Sequence, residues 1–405
     1  MDSIPEDEGQ GSRLLIPSLF VSQLSTRPAG ILMGFILMEL AETFGTTVGI
    51  AGQIVTAASL AGMIVSPFLA ALSIKYKPKT LLLAGVTLIV ISSLGCSLAF
   101  NYASMLLFYS LSGLGAAMVT PMIMTIIGKT IPEEKRSGTI GRIIASTPIL
   151  STLMGLTITW IISRGWQTAY LLFVFPINAA CLVLAFLGLR RTADSEPSQS
   201  APRSIRGGFK EILRNRSALA CLLSTTLTQI AWGGFMWYTI SFYRQYWGLP
   251  TEFVGVIWSA NTFVYVIGSL LCGRVVPRFG RKRLTGLTLL FIGVLMIIYS
   301  NAPNYYVSII SSLSITTLMA FWSASSNDLA LAQVPEYSGA MMSLNSGSNR
   351  LGGALGSAVG GLILTFGGYS LLGIVLGIAG ITAFLVIFLF ARDPVHVAAA
   401  EPLIT

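Results

Sequence analysis

Twelve apolar stretches, each long enough to cross a bilayer as a helix, set the terms for what this chain of 405 residues can fold into. A spanning helix needs about 20 predominantly apolar residues, and in hydrocarbon every backbone N–H and C=O must find its partner inside the protein. The stretches fall at 14–41, 48–73, 80–100, 104–128, 139–163, 167–189, 217–243, 252–273, 284–300, 305–330, 340–366 and 369–391. The breaks between them are polar or turn-forming, as at Asn101, Ala302-Pro303-Asn304, Gly367-Gly368 and Lys75-Tyr76-Lys77-Pro78-Lys79. Only 10% of the residues are charged and 54% are hydrophobic, against roughly a quarter charged in a soluble domain. The expected fold class is therefore all-α and integral to a membrane. The first stretch would run about 42 Å, so its start is expected in the interface.

The net charge of +9 raises nucleic-acid binding, but its distribution excludes it. With both termini in the cytoplasm, all of the 25 Lys and Arg except Arg27, Arg164, Arg244 and Arg350 fall in cytoplasmic segments or at their rims. That bias is the positive-inside pattern and gives an N-in, C-in topology. The acidic start (Asp2, Glu6, Asp7, Glu8) and the long first stretch do not read as a cleaved leader. Cys96, Cys181, Cys221 and Cys272 lie in apolar stretches without metal or disulfide spacing and read as packing thiols, and the one histidine, His396, is in the tail. No metal or cofactor is expected. Gly128-Lys129-Thr130 imitates the end of a phosphate loop, but Ile123 stands where its first glycine is required and no strand precedes it.

The chain also repeats itself. Gly45 and Gly52 return as Gly248 and Gly255, Lys75 and Lys79 as Arg278 and Lys282, and Pro132 as Pro335, all displaced by 203 residues. Gly138/Gly339 and Gly155/Gly356 follow at a displacement of 201. Two duplicated six-helix bundles are expected, at 14–189 and 217–391, joined by a Ser-, Pro- and Arg-rich cytoplasmic linker at 190–216. Parallel repeats of this kind build many secondary transporters.

The same positions carry a resemblance to the major facilitator superfamily from about 14 to 391. Its loop motif between the second and third spans, and again between the eighth and ninth, is recognisable at Gly273, Arg278, Gly280, Arg281 and Lys282, with Pro277 in place of the aspartate. The first copy keeps Ala70, Leu72, Lys75 and Lys79 but has Ile74 where the aspartate belongs. Gly113, Gly115 and Ala116 resemble the family's fourth span, with Tyr109 and Ser112 replacing its arginine and glutamine; Gly165-Trp166 and Ala169-Tyr170 resemble the start of its sixth. The resemblance implies twelve helices in two pseudo-symmetric bundles, in the cell membrane, moving a substrate by alternating access and working as a monomer. The missing aspartates remove part of the latch that the family's loop motif forms. Among branches the chain is most similar to the 12-span small-molecule or drug proton antiporters, although the antiporter signature of span five is largely missing, with Thr147-Pro148 and Gly155 differently arranged.

Charges inside spans require an account, because each costs at least about 2.5–3.5 kcal/mol. Four stand out as candidates for proton coupling: Arg27, Glu39, Asp328 and Arg350. Pro28 cannot donate to the carbonyl of Leu24, so a kink is expected beside Arg27. Counting along neighbouring helices brings Asp328 and Arg350 within about 6 Å in depth, which suggests a buried pair joining the tenth and eleventh spans. A cluster of polar and aromatic residues in the second half gives the substrate-cavity candidates Gln229, Trp232, Asn261, Asn327 and Asn345. Trp237, Tyr238, Tyr243, Tyr246 and Trp247 are assigned to the outer interfacial belt. Gly352, Gly356 and Gly360 form a small-residue face for close helix packing.

No convergent nucleophile, metal or paired-carboxylate site suggests an enzyme. The expected function is secondary active transport of a small organic molecule, with proton-coupled efflux as the leading form. Two alternatives stand beside it: an anion porter using Arg27 and Arg350, and a membrane sensor that transports nothing.

Overall fold

The computed structural model describes residues 6–131, 133–190 and 211–393. Pro132, His396 and most of the expected linker, 191–210, lie outside the described residues. Every element among the described residues is helical. In chain order these are α1 (Glu6–Leu24), α2 (Pro28–Thr43), α3 (Val48–Ala51), α4 (Gln53–Lys75), α5 (Pro78–Ser97), α6 (Tyr102–Thr130), α7 (Glu133–Ile162) and α8 (Trp166–Ala169). A π-helical stretch, Tyr170–Val174, leads into α9 (Phe175–Arg190), and then come α10 (Arg216–Gln245), α11 (Thr251–Phe279), α12 (Arg281–Ser300), α13 (Tyr305–Gln333), a 3-10 turn (Pro335–Tyr337) and α14 (Ser338–Phe390).

Among the described residues, ten helices are long and apolar enough to cross a membrane. The difference from twelve stretches has two sources. The apolar part of α7 is only Thr147–Ile162. And the last two stretches form one helix of 53 residues, interrupted at Gly368, whose φ of 70° and ψ of −174° are not helical. A straight helix of that length would reach about 80 Å, far beyond the bilayer, and Gly368 supplies the bend.

The first span breaks where the proline requires. Pro28 has no N–H, so the Leu24 carbonyl instead accepts from Arg27 N at 3.3 Å, and Thr26 N donates to the Gln23 carbonyl at 3.2 Å. These tighter turns end α1, and Pro28 then sits at the first position of α2, where a missing N–H is harmless.

The repeat seen in the sequence has a backbone counterpart. Gly45 (φ 59°) and Gly248 (φ 64°) adopt the left-handed conformation at equivalent turns, as do Gly165 (φ 101°) and Gly368 (φ 70°). Asn101 and Asn304, displaced by the same 203 residues, are both helix N-caps: the first accepts from Ser104 N at 2.7 Å and the second from Val307 N at 3.0 Å.

The chain divides into two compact units, Met1–Ser200 with Thr251–Ser259, and Ala201–Pro250 with Ala260–Thr405. The first is built on Leu15, Leu19, Leu82, Val86, Val119 and Ile123. In the second, α14 lies tightly along α10. A Cβ at Gly356 would sit 2.5 Å from the Ile230 carbonyl oxygen and one at Gly360 2.7 Å from the Tyr238 ring, so only glycine permits the approach. The expected small-residue face is present and α10 is what it packs against. All four cysteines are free and buried.

Candidate functional site

Close approach of α14 to α10 brings amide side chains together in the second unit. Asn345, Asn349, Gly352 and Gly356 lie on one face of α14, at helical spacings of four, three and four. Against that face α10 presents Thr225 and Gln229. Thr225 Oγ1 donates to Asn345 Oδ1 at 3.0 Å, and Asn345 Nδ2 donates to Asn327 Oδ1 of α13 at 2.9 Å. Gln229 Nε2 donates to Asn349 Oδ1, and Asn349 Nδ2 donates to the Asn345 carbonyl at 2.8 Å. Three of the five expected cavity residues, Gln229, Asn327 and Asn345, therefore belong to one network, joined by Thr225 and Asn349.

The network has an inside and an outside. Asn345 is buried, and both of its amide atoms are engaged. Gln229, Asn327 and Asn349 are half-buried, and the chain of bonds leaves the Asn327 amide nitrogen and the Gln229 amide oxygen with capacity for another partner. Trp232 is one turn beyond Gln229, half-buried, with its ring stacked on Phe235 at 5.7 Å.

Asn261 does not join this group. It is buried, accepts from Thr316 Oγ1 at 2.8 Å and donates to Ser312 Oγ at 3.3 Å, and so ties α11 to α13 as interhelical glue. The interfacial belt also needs correction. Tyr238 and Tyr243 are fully buried, with their hydroxyls donating to the Ser357 carbonyl at 2.9 Å and to Ser312 Oγ at 3.2 Å. Tyr246 is the exposed one of the set, and Trp237 and Trp247 are half-buried.

The charged candidates fall differently from the sequence expectation. Asp328 meets Arg281 at 3.7 Å, and no ion pair between Asp328 and Arg350 occurs among the described residues. The reason is rotational. Asn327 and Asn345 occupy the facing sides of α13 and α14, and the next residue on a helix points about 100° away. Asp328 is thus turned outward, with its side chain 53% exposed, toward the start of α12.

There Arg281 also donates from Nε to Asp393 Oδ1 at 3.0 Å, in a pair whose side chains are only 16% and 8% exposed. The segment carrying Asp393 is held from two further sides. Arg392 N donates to Ser217 Oγ at 2.8 Å, and Gln333 Nε2 donates to the Arg392 carbonyl at 3.0 Å. This hub was not found by sequence reasoning, although Arg281 was singled out as part of the loop motif. Asp393 lies just past the last span, and nothing nearby in sequence marks its partner.

The remaining motif residues lie at helix ends or within helices. Gly280 caps α12 with φ 74°, a conformation that favours glycine, while Arg278 and Lys282 flank it. Gly273 lies within α11. Lys75 is exposed over the Tyr76 ring at 5.7 Å, and Lys79 is buried at the start of α5. In the first unit, Arg27 is exposed at the break between α1 and α2. Glu39 is half-buried on α2, where its carbonyl accepts from Thr43 Oγ1 at 2.6 Å.

Arg350 is half-buried on α14 and makes no hydrogen bond or ion pair among the described residues. Among the described residues it is the one charged candidate within the second unit's spans without a protein partner.

Comparison with known proteins agrees with this architecture. MFS-type transporter YwfA of Bacillus subtilis (strain 168) is 25% identical over 348 residues, covering 84% of this chain and 83% of that one. Drug efflux pump JefA of Mycobacterium tuberculosis (strain ATCC 25618 / H37Rv) is 29% identical over 125 residues, covering 28% of this chain and 23% of the pump. The crystal structure of a D-xylose-proton symporter shares the fold with a TM-score of 0.75 at 15% identity, covering 94% of this chain and 98% of the symporter. The sequence model of the Major Facilitator Superfamily matches residues 18–339 and 223–403. Spanning helices, duplicated turns and family match together make this chain an integral, multi-pass membrane transporter, not an enzyme, and a member of the major facilitator superfamily.

Proposed function

We propose that this transporter is a secondary active exporter of small organic molecules, driven by protons entering the cell and working by alternating access. The observation that carries the reading is the convergence of α10, α13 and α14 on one amide network with an open polar end at Asn327 and another at Gln229, one turn from Trp232. A few oriented hydrogen-bonding groups beside an aromatic wall suit a molecule with an apolar body and a polar head. Similarity to a pump that carries drugs outward supports the direction.

In this reading the chain forms twelve spans in two bundles, 14–189 and 217–391, around the cytoplasmic linker 190–216, with both termini in the cytoplasm of a cell whose plasma membrane holds the protein as a working monomer. Bending at Gly368 supports a count of two spans within α14. The proton is assigned to Glu39, a half-buried carboxylate on a spanning helix; Asp328 is assigned to anchoring through Arg281. A proton moving down a potential of 100 mV releases about 2.3 kcal/mol, enough for useful accumulation.

Reconstituted liposomes with an imposed pH gradient test the proposal against a panel of lipophilic cations, neutral amphiphiles and small organic anions. Gradient-driven movement of at least one class, lost in Glu39→Gln and retained in Asp328→Asn, is the expected result. Movement independent of the gradient would remove proton coupling, and no movement of any class would remove export.

A further inference from the structure

Around its axis, the first part of α14 shows three different faces. One carries Asn345, Asn349 and the glycines that meet α10. A second is exposed and apolar, with Leu351, Leu355 and Leu362, as suits contact with lipid chains. The third, about a third of a turn from the leucines, is formed by Ser343, Ser346, Gly347 and Arg350. These four are spaced at i, i+3, i+4 and i+7, so they share one face. The first three are exposed and Arg350 is half-buried. Exposed hydroxyls and a guanidinium on a spanning helix belong beside water, because hydrocarbon would solvate none of them.

On that wet face Arg350 has five N–H donors and no acceptor from the protein among the described residues. The contrast with Arg281, which holds two carboxylates, shows that this chain neutralises arginines elsewhere. Arg350 follows Asn349 directly and lies about 7.5 Å along the helix from Asn345, whose partner Asn327 keeps an unused amide N–H. The donors left over at this end of the network therefore outnumber the acceptors, and one of them carries a full positive charge.

We propose that Arg350 is the anchor for a negatively charged substrate: the exported molecule bears a carboxylate or a comparably compact planar anion, which docks on the guanidinium. A planar two-oxygen anion can accept two parallel N–H bonds from arginine, a geometry that lysine cannot reproduce. The Asn327 amide adds a neutral donor and Trp232 a surface for the apolar body. This assignment rests on the reading of the chain as an exporter, whose substrate class it narrows.

The test uses the full-length protein in lipid nanodiscs, with benzoate and phenylacetate as probes, their neutral amides as isosteres, and tetraphenylphosphonium as the cationic counterpart. Binding is read by calorimetry and by ligand-dependent melting, and flux is read in liposomes. The carboxylates should bind at least tenfold tighter than the amides. Arg350→Gln should abolish that difference, and Arg350→Lys should keep part of it, which guards against a variant that fails to fold. Equal affinity for acids and amides, no binding of either acid, or retention of the preference in Arg350→Gln would each overturn the proposal. Gradient-driven tetraphenylphosphonium flux unchanged in Arg350→Gln would overturn the anionic class while leaving export standing. Carboxylate binding through Arg350 without flux of any probe would sustain the anion site and overturn export.

Discussion

Arg281 holds two carboxylates that ought to differ several-fold in what they contribute, and double-mutant cycles can measure both. Its Nε lies 3.0 Å from Asp393 Oδ1, within hydrogen-bonding distance, and the two side chains are 16% and 8% exposed. A charge-assisted hydrogen bond of this kind contributes about 1.5–3 kcal/mol. Asp328 is 3.7 Å away and 53% exposed, beyond hydrogen-bonding distance and largely solvated, which places it with surface ion pairs at about 0–1 kcal/mol. The perturbations are Arg281→Gln, Asp393→Asn, Asp328→Asn and the two double variants that include Arg281→Gln. Unfolding of the purified protein in mixed micelles with increasing dodecyl sulfate, followed by tryptophan fluorescence, supplies the free energies.

A coupling of about 2 kcal/mol is expected between Arg281 and Asp393, and about 0.5 kcal/mol between Arg281 and Asp328. The single variant Arg281→Gln should be the most damaging, because it withdraws one cation from two carboxylates at once, the buried Asp393 among them. Raising the ionic strength should erase the smaller coupling before the larger one. A coupling to Asp328 equal to or above that to Asp393 would refute this ranking, as would an Asp393→Asn variant as stable as the parent. The first result would return Asp328 to the list of residues whose charge matters to more than anchoring; the second would remove Asp393 as an anchor.

Other expectations separate packing from conformation and glue from site. Gly356→Ala places its methyl 2.5 Å from a backbone carbonyl that cannot rotate away, so it should lose about 1–3 kcal/mol by overpacking and lower the melting temperature. Gly248→Ala meets open space and should lose about 1–2 kcal/mol through its φ of 64° alone, with Gly248→Asn recovering much of that in the same melt. Asn304→Ala removes the α13 cap and should lose about 1 kcal/mol, with Asn304→Ser restoring most of it; a null result would mean that the cap is replaced by solvent. Asn261→Ala should reduce stability by about 0.6–1.7 kcal/mol with no change in ligand affinity. Gln229→Ala should show the reverse balance, and calorimetry beside melting curves distinguishes the two.

What could be read from the sequence, and what could not, divides along a physical line. Elements fixed by local chemistry were legible: the apolar stretches, the proline break at residue 28, the glycines at 45 and 248 that turn the chain in both halves. So was depth, since each helical residue advances a fixed distance. Rotation about the helix axis was the missing coordinate. Matching Asp328 to Arg350 by depth alone ignored that each follows by one residue the asparagine, Asn327 or Asn349, that takes part in the network between helices. Tyr238 and Tyr243 were placed in the outer belt for the same reason, yet both point inward. One fixed point would have supplied the rotation. The glycines at 352, 356 and 360 have to face a neighbouring helix, because only close packing gives a spaced row of glycines a role. Counting back from Gly352 by three and seven residues puts Asn349 and Asn345 on the same side, and sets Arg350 well round from it. That Arg350 has no partner among the described residues follows from that rotation, and so does its place on the face of Ser343, Ser346 and Gly347, where the proposed anion would dock.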